Sequence, residues 1–442
     1  MSMKRLKILL CLLLLLAGCG PKEAADNQIA YIPARTASAA GLSSLAPTAL
    51  SRPTAAPLFT PAPTAAPTAA PALTPLPTDT PAPTAEPTPT PEPMASRLQQ
   101  YVAGMTDREK IGQLVMFGFS GTKVVSDEFR KIMADYAVGN VILYGANIAR
   151  DDKDGGFDRC AKLTADLRAH SASNIPLLIS IDVEGGNVTR FRWRDRLASA
   201  QTLGERNDAE YARLQFQRVG TALCDVGVNV DLGPVLDVAK NPSGTFLKTR
   251  IISSDEEKAA RIGCACIEGL QMGGCLSVVK HFPGHGATAA DSHDGTPVVK
   301  KSLAALRDYE FYPFRQAVLA GADGVMMAHI LYPEIDPDYI ASQSAVFMTD
   351  VLRGEMGFEG VIMADDFRMN GLRSKTSLEA AAVRFILAGG DVILCGANHS
   401  YQKTILKSLE AAVESGVISR ERLDESVLRV LTAKMKVTDW TP

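Results

Sequence analysis

Leu276-Ser277-Val278-Val279-Lys280-His281-Phe282-Pro283-Gly284-His285-Gly286-Ala287-Thr288-Ala289-Ala290-Asp291-Ser292-His293 joins an apolar, strand-like run to a loop crowded with ionisable groups. Pro283, Gly284 and Gly286 exclude a helix and shape the segment as a loop. One lysine, one aspartate and half of the chain's six histidines fall within Lys280–His293. Loops held by a rigid scaffold are where binding and catalytic groups concentrate, so this stretch is a candidate functional site.

The same arrangement recurs on either side of it. Short apolar runs over Gln113–Phe117, Asn140–Tyr144, Leu177–Asp182, Val228–Asp231, Ser277–Lys280, Gly324–Ala328, Gly360–Met363 and Asp391–Leu394 read as strands. Helical patterns fall between most of them, over Asp208–Asp225, Asp255–Met272, Leu303–Ala320 and Ser377–Ala388. Alternating strands and helices predict an α/β fold with a parallel sheet. Eight strands in about 350 residues fit a (β/α)8 barrel, with a doubly wound sheet as the alternative. Asp182, Asp231, Lys280-His281, His329 and Asp365-Asp366 sit at or just past the C-terminal ends of these runs. A barrel gathers those ends around one pocket, which favours it.

The N-terminus carries Lys4, Arg5 and Lys7, an apolar run from Ile8 to Leu16, then Ala17-Gly18-Cys19. Nine apolar residues are too few to span a bilayer, and the pattern reads as a secretory signal over residues 1–18. The small-small-Cys ending resembles the bacterial lipobox. That implies lipidation at Cys19 and an exported domain anchored to the outer face of the cytoplasmic membrane. An ordinary signal peptide followed by a cysteine is the alternative. Residues 19–93 lack the apolar mass to form a core. Between Pro47 and Pro93 lie 15 of the 26 prolines, alternating with Thr and Ala. This composition predicts a disordered, polyproline-II-like spacer, able to reach on the order of 100 Å at roughly 3.1 Å per residue. The remaining segment, 94–442, suffices for one catalytic α/β domain.

A net charge of −3 provides no basic stripe, so nucleic acid is not an expected partner. Cys160, Cys224, Cys264, Cys266, Cys275 and Cys395 show neither CxxC pairs nor disulfide-framework spacing and read as mostly buried free thiols. Cys264 and Cys266 point to different faces of a helix, which argues against a metal pair.

Val361-Ile362-Met363-Ala364-Asp365-Asp366 ends an apolar strand in two carboxylates that cannot face one way, since side chains alternate. One can enter the barrel mouth while the other caps a turn or binds a loop amide. Ile181-Asp182-Val183-Glu184-Gly185-Gly186-Asn187-Val188-Thr189-Arg190-Phe191 carries a glycine pair that permits a tight turn. Asp182 and Arg190 can then fold back over the pocket, or form no more than a loop salt bridge.

Together these segments resemble glycoside hydrolase family 3, in its β-N-acetylglucosaminidase branch. The resemblance rests on Gly139–Tyr144, the Ile181–Phe191 segment, Asn229–Val238, Thr249-Arg250 before Ser254-Asp255, the Lys280–His293 loop, Met327-Ala328-His329 and Ala364–Met369. It implies a single barrel, a retaining β-N-acetylhexosaminidase and a glycan substrate bearing terminal N-acetylglucosamine. Asp365 would be the nucleophile, and His293 the acid/base oriented by Asp291. Asp182, Arg190, Arg250, Lys280 and His281 would bind the sugar. An imidazole serves as acid and then base near neutrality. A neutral base also repels an anion less than a carboxylate would, so phosphate could replace water as acceptor. His285 is expected to brace the loop. His329 reads either as a second contact or as a satisfied core histidine, and His170 and His399 carry no signal.

The chain departs from the family pattern at Ala364, where serine is usual, at Asp294-Gly295-Thr296-Pro297, and at Asn187, where a longer basic residue is common. These touch specificity and rate rather than the reaction. A second α/β domain, which many family members carry, is not expected here, and the catalytic parts are expected from the barrel and its loops. No metal or organic cofactor is expected, and a monomer is. His281, His285, Asp291 and His293 keep a metal-dependent hydrolase open, although Phe-Pro-Gly prevents the first two from sharing a helix face. A β-glucosidase, a β-xylosidase and a non-catalytic wall-binding lipoprotein are the other readings.

Overall fold

The computed structural model describes residues 93–121 and 125–442. The signal segment, Cys19 and the proline-rich tract lie outside the described residues.

Eight strands form the frame: β1 (Val115–Gly118), β2 (Asn140–Ile142), β3 (Leu178–Ile181), β4 (Val230–Asp231), β5 (Leu276–Phe282), β6 (Gly324–Met327), β9 (Val361–Ala364) and β10 (Ile393–Cys395). Two short strands, β7 (Leu331–Tyr332) and β8 (Asp336–Ile340), make a separate antiparallel hairpin. Within the frame every pairing is parallel, in the order β10-β1-β2-β3-β4-β5-β6-β9. The ends join where Met363 bridges Val392 and the Ala364 N–H donates to the Val392 carbonyl at 2.9 Å. The result is a (β/α)8 barrel, not the doubly wound alternative.

Its strands are buried on both faces, as helices outside and side chains inside require. Met116, Ile142, Leu178, Val230, Leu276, Val278, Met326, Met363 and Leu394 fill the lumen as one cluster. A larger cluster lies between strands and helices, including Val115, Phe117, Ile179, Ile181, Val279 and Val325. Alternation along each strand separates the two sets.

Helix starts follow local chemistry. Asp208, Asp255, Ser377 and Ser419 each accept a backbone N–H of the first turn through the side chain, capping the helices Ala209–Asp225, Glu256–Met272, Leu378–Leu387 and Arg420–Val437. One expectation fails. The predicted helix Leu303–Ala320 is two helices, Leu303–Asp308 and Phe311–Leu319, broken at Tyr309 with φ −140° and ψ −70°. Pro313 explains the break, because it has no N–H for the Tyr309 carbonyl and its ring crowds that carbonyl. The first expected strand also starts late. Gln113 closes the helix Asp107–Gln113, and pairing begins at Val115.

Gly204, on the helix Ala200–Arg206, lies against the backbone of the loop that carries Arg250. A Cβ there would stand 1.7 Å from the Ile252 carbonyl oxygen. Gly204→Ala is expected to lower stability by about 1–3 kcal/mol, the usual range for overpacking, and to raise KM by moving Arg250. Urea unfolding and steady-state kinetics check both.

Candidate active site

A cavity of about 410 Å³ opens at the C-terminal end of the barrel. Its walls come from β2 (Ile142, Tyr144), β3 (Asp182, Glu184), β4 (Leu232), β5 (Lys280, His281), β6 (Met326), β9 (Asp365, Asp366) and β10 (Leu394), or from the turns directly after them.

Past β3, Asp182 and Glu184 are two residues apart and so face the same side. Gly185 and Gly186 take φ of +90° and +58°, and the Glu184 N–H meets the Val188 carbonyl at 2.8 Å. This turn returns Arg190 to the pocket, where Nη2 lies 2.7 Å from Asp182 Oδ2. From β5, Lys280 Nζ stands 2.8 Å from both Asp182 Oδ1 and Glu184 Oε1. Arg250 grips Glu184 with both ends of its fork, at 2.7 and 2.9 Å. Three cations thus share two carboxylates. Burial alone would neutralise Asp182 and Glu184, but Lys280 with Arg190 holds the first well below the usual carboxylate range, and Lys280 with Arg250 lowers the second. Burial would equally depress Lys280, and the two carboxylates raise it instead. All five groups stay charged.

A second cluster hangs on Asp237. Its Oδ2 accepts the His281 backbone N–H at 3.1 Å and faces His281 Nδ1 at 2.7 Å. An ionised carboxylate only accepts, so Nδ1 carries the proton and Nε2 is left for a ligand. Asp237 Oδ1 accepts the His285 N–H at 2.5 Å. His285 Nε2 lies 3.0 Å from Ser292 Oγ, while among the described residues its buried Nδ1 has no hydrogen-bond partner. Burial and the nearby His281 push His285 down to about 4, so it is neutral at physiological pH.

The two aspartates directly after β9 divide as alternation requires. Asp366 is spent on structure. Its Oδ2 accepts from the Tyr144 hydroxyl at 2.8 Å and Arg368 Nη2 at 2.7 Å, and its Oδ1 from the N–H groups of Arg368 and Gly396. Asp365 accepts only the Asp366 N–H, at 2.8 Å, and among the described residues no side chain hydrogen-bonds to it. Burial raises its pKa, but His281, His329 and that N–H outweigh burial and hold it below the usual range. It is an ionised carboxylate with a free oxygen at the cavity wall.

Across the mouth, the loop after β5 presents Asp291 and His293. Asp291 Oδ1 accepts the His293 N–H at 2.9 Å and faces Nδ1 at 2.7 Å. Nδ1 is therefore the donor and Nε2 is open, on a ring whose side chain is 68% exposed. Burial raises the Asp291 pKa, and its bonds to His293 more than reverse that.

The structure thus brings Asp182, Arg190, Arg250, Lys280, His281, His293 and Asp365 into one cavity, with Asp291 bonded to His293. Asp231 belongs beneath it, buried, with Oδ1 on the Val183 N–H and a raised pKa from burial. His329 is a satisfied buried histidine, its Nδ1 2.7 Å from Ser342 Oγ. Among the described residues no group of three or more His, Cys, Asp or Glu side chains is arranged to hold a metal. All six cysteines of the barrel are free thiols.

Glu184, Asp237, Ser292 and Tyr144 escaped the sequence reading as site residues. Glu184 could have been found from its two-residue offset to Asp182. Phe246 and Arg368, also on the wall, had no comparable signal.

Residues 106–433 match the Glycosyl hydrolase family 3 N terminal domain. A β-hexosaminidase of Nitrosomonas eutropha is 32% identical over 323 residues, covering 71% of this chain and 90% of that protein. Among solved structures, the glycoside hydrolase family 3 β-N-acetylglucosaminidase from Paenibacillus sp. str. FPU-7 superposes with a TM-score of 0.71 at 38% identity. That match covers 75% of this chain and 63% of the Paenibacillus chain, so this protein spans less than two thirds of it. The β-N-acetylhexosaminidase from Beutenbergia cavernae DSM 12333 matches with a TM-score of 0.68 at 28% identity, covering 75% of this chain and 99% of the other. Barrel, cavity and sequence kinship agree, and the chain belongs to glycosyl hydrolase family 3 as a glycoside hydrolase.

Proposed function

We propose that the protein is a retaining exo-β-N-acetylglucosaminidase that removes terminal, non-reducing N-acetylglucosamine from peptidoglycan fragments or related glycans. In this reading it is exported and anchored through a lipid on Cys19, and the proline-rich tract holds the barrel away from the membrane. The observation that carries the catalytic reading is the pairing of a free, ionised Asp365 with an Asp291–His293 dyad on a loop over the same cavity.

Asp365 attacks the anomeric carbon and forms a glycosyl-enzyme. His293, as imidazolium, keeps Nδ1–H on Asp291 and gives its Nε2 proton to the departing oxygen. The neutral ring then takes a proton from water as water attacks the ester, which restores Asp365 and the imidazolium. Asp182, Lys280, Arg190 and Arg250 hold the sugar hydroxyls and ring substituents, and His281 adds a ring nitrogen. The scheme draws on no cofactor.

The histidine base on the Asp291–His293 dyad, which when neutral repels an anion less than a carboxylate would, supports phosphate as an alternative acceptor in place of water. Incubation with a nitrophenyl β-N-acetylglucosaminide, with and without phosphate, tests both. Free N-acetylglucosamine is the expected product. The sugar 1-phosphate would replace the hydrolase by a phosphorylase. Turnover of the glucoside or xyloside alone would overturn the substrate assignment. His293→Ala is expected to cost about 10²–10⁴-fold on poor leaving groups and far less on dinitrophenyl substrates, which need no acid. Equal losses across the series would remove His293 from the acid role.

A further inference from the structure

The dyad sits on an exposed loop, yet the residue between its two members is buried. Ser292 is 1% exposed, while the flanking Asp291 and His293 side chains are 32% and 68% exposed. Two bonds fix it. Its Oγ lies 3.0 Å from His285 Nε2, and its carbonyl accepts the Gly371 N–H at 2.8 Å. Each anchor is itself set on the catalytic frame. The His285 N–H is held by Asp237, the carboxylate that also orients His281. The His285 ring stands edge-on to Phe246, with centroids 4.4 Å apart. Gly371 follows β9, the strand that leads into Asp365, and its own carbonyl accepts from Thr296 Oγ1 at 2.7 Å. A Cβ at Gly371 would stand 3.0 Å from the Ser292 carbonyl oxygen and 3.1 Å from His329, so glycine permits this close approach.

We propose that Ser292 is the positioning residue of the acid/base loop, pinned to His285 and Gly371 so that its neighbours Asp291 and His293 are aimed at the bond Asp365 attacks. Ser292 stands at the cavity wall, and its role here is exerted through the loop backbone rather than on the reacting atoms. It removes the freedom of a loop that otherwise carries its proton donor on an exposed ring. This inference rests on the glycosidase reading above.

The test compares Ser292→Ala, Ser292→Thr, His285→Gln and the Ala/Gln double variant on aryl β-N-acetylglucosaminides of graded leaving-group pKa. Ser292→Ala is expected to lower kcat about 10–100-fold on poor leaving groups, the scale of a small misplacement. Dinitrophenyl turnover and KM should stay near wild type, and Ser292→Thr should restore most of the loss. The double variant should be no worse than the worse single, because both lose one bond. Ser292→Ala kinetics like wild type, a loss equal across leaving groups, or failure of Thr to rescue a folded variant would each overturn the proposal. Wild-type protein that turns over no N-acetylglucosaminide would instead sink the underlying function.

Discussion

Asp365→Asn is expected to lower kcat by about 10⁴-fold or more, the scale seen when a nucleophile is removed from other hydrolases. The loss should be the same for activated and natural substrates, because both pass through the bond that Asp365 makes. The change is nearly isosteric, and the amide oxygen can still accept the Asp366 N–H. Asp366, which ties Tyr144, Arg368 and Gly396 together, is untouched. The melting temperature should therefore stay close to wild type while turnover disappears. Steady-state rates on dinitrophenyl and methylumbelliferyl N-acetylglucosaminides, with thermal unfolding as control, decide it. Retention of more than a few per cent of activity would move the nucleophile elsewhere. Asp366→Asn offers the contrast, since it damages the fold of the β9 turn before it damages chemistry.

Lys280→Met is expected to cost stability as well as activity. Lys280 is 2% exposed and stands 2.8 Å from carboxylates on two residues. Its loss leaves Asp182 and Glu184 with one arginine each and closer to mutual repulsion. Breaking a buried pair on one side costs about 3–5 kcal/mol, with the remaining arginines favouring the lower end. The two carboxylate pKa values are depressed in the folded protein. Their stabilisation is thus fully present above about pH 4, their unfolded range, and is lost as pH falls through the depressed values. Lys280 is raised, so its share is complete below about pH 10 and is lost only as pH climbs through the folded value. Between those limits the variant should trail wild type by a constant amount, and the gap should narrow on acidification below about pH 4. Urea unfolding across that range measures it, and a gap that widened in acid would contradict the ion network. Substrate affinity should fall together with stability, because the same ammonium faces the cavity.

Much of this molecule was legible from local chemistry. Apolar runs located all eight barrel strands to within a few residues, and the helical patterns expected from Asp208, Asp255 and Ser377 begin where the structure shows those residues capping helices. Polar residues at strand ends pointed to one mouth because a parallel barrel has no other place to put them. The broken helix at Tyr309 was readable in principle, since the cause is Pro313 three positions into the second half. The β7–β8 hairpin was missed because β8, Asp336-Pro337-Asp338-Tyr339-Ile340, carries no apolar run to detect.

What the sequence determined by itself was the barrel, its alternation of inner and outer side chains, and the clustering of ionisable groups at one end. These follow from short-range periodicity and from the ionisable residues that stand directly at the ends of apolar runs. Only the tertiary structure decided which carboxylate is free and which is spent. Asp365 and Asp366 are equal in sequence, but Tyr144 past β2 and Gly396 past β10 occupy the second and leave the first open. The same holds for Lys280 between Asp182 and Glu184, and for Ser292 between His285 and Gly371. Partners on other strands and loops, from 30 to 222 residues away for Asp366 alone, leave no local pattern, so side-chain roles become readable only once the barrel has closed.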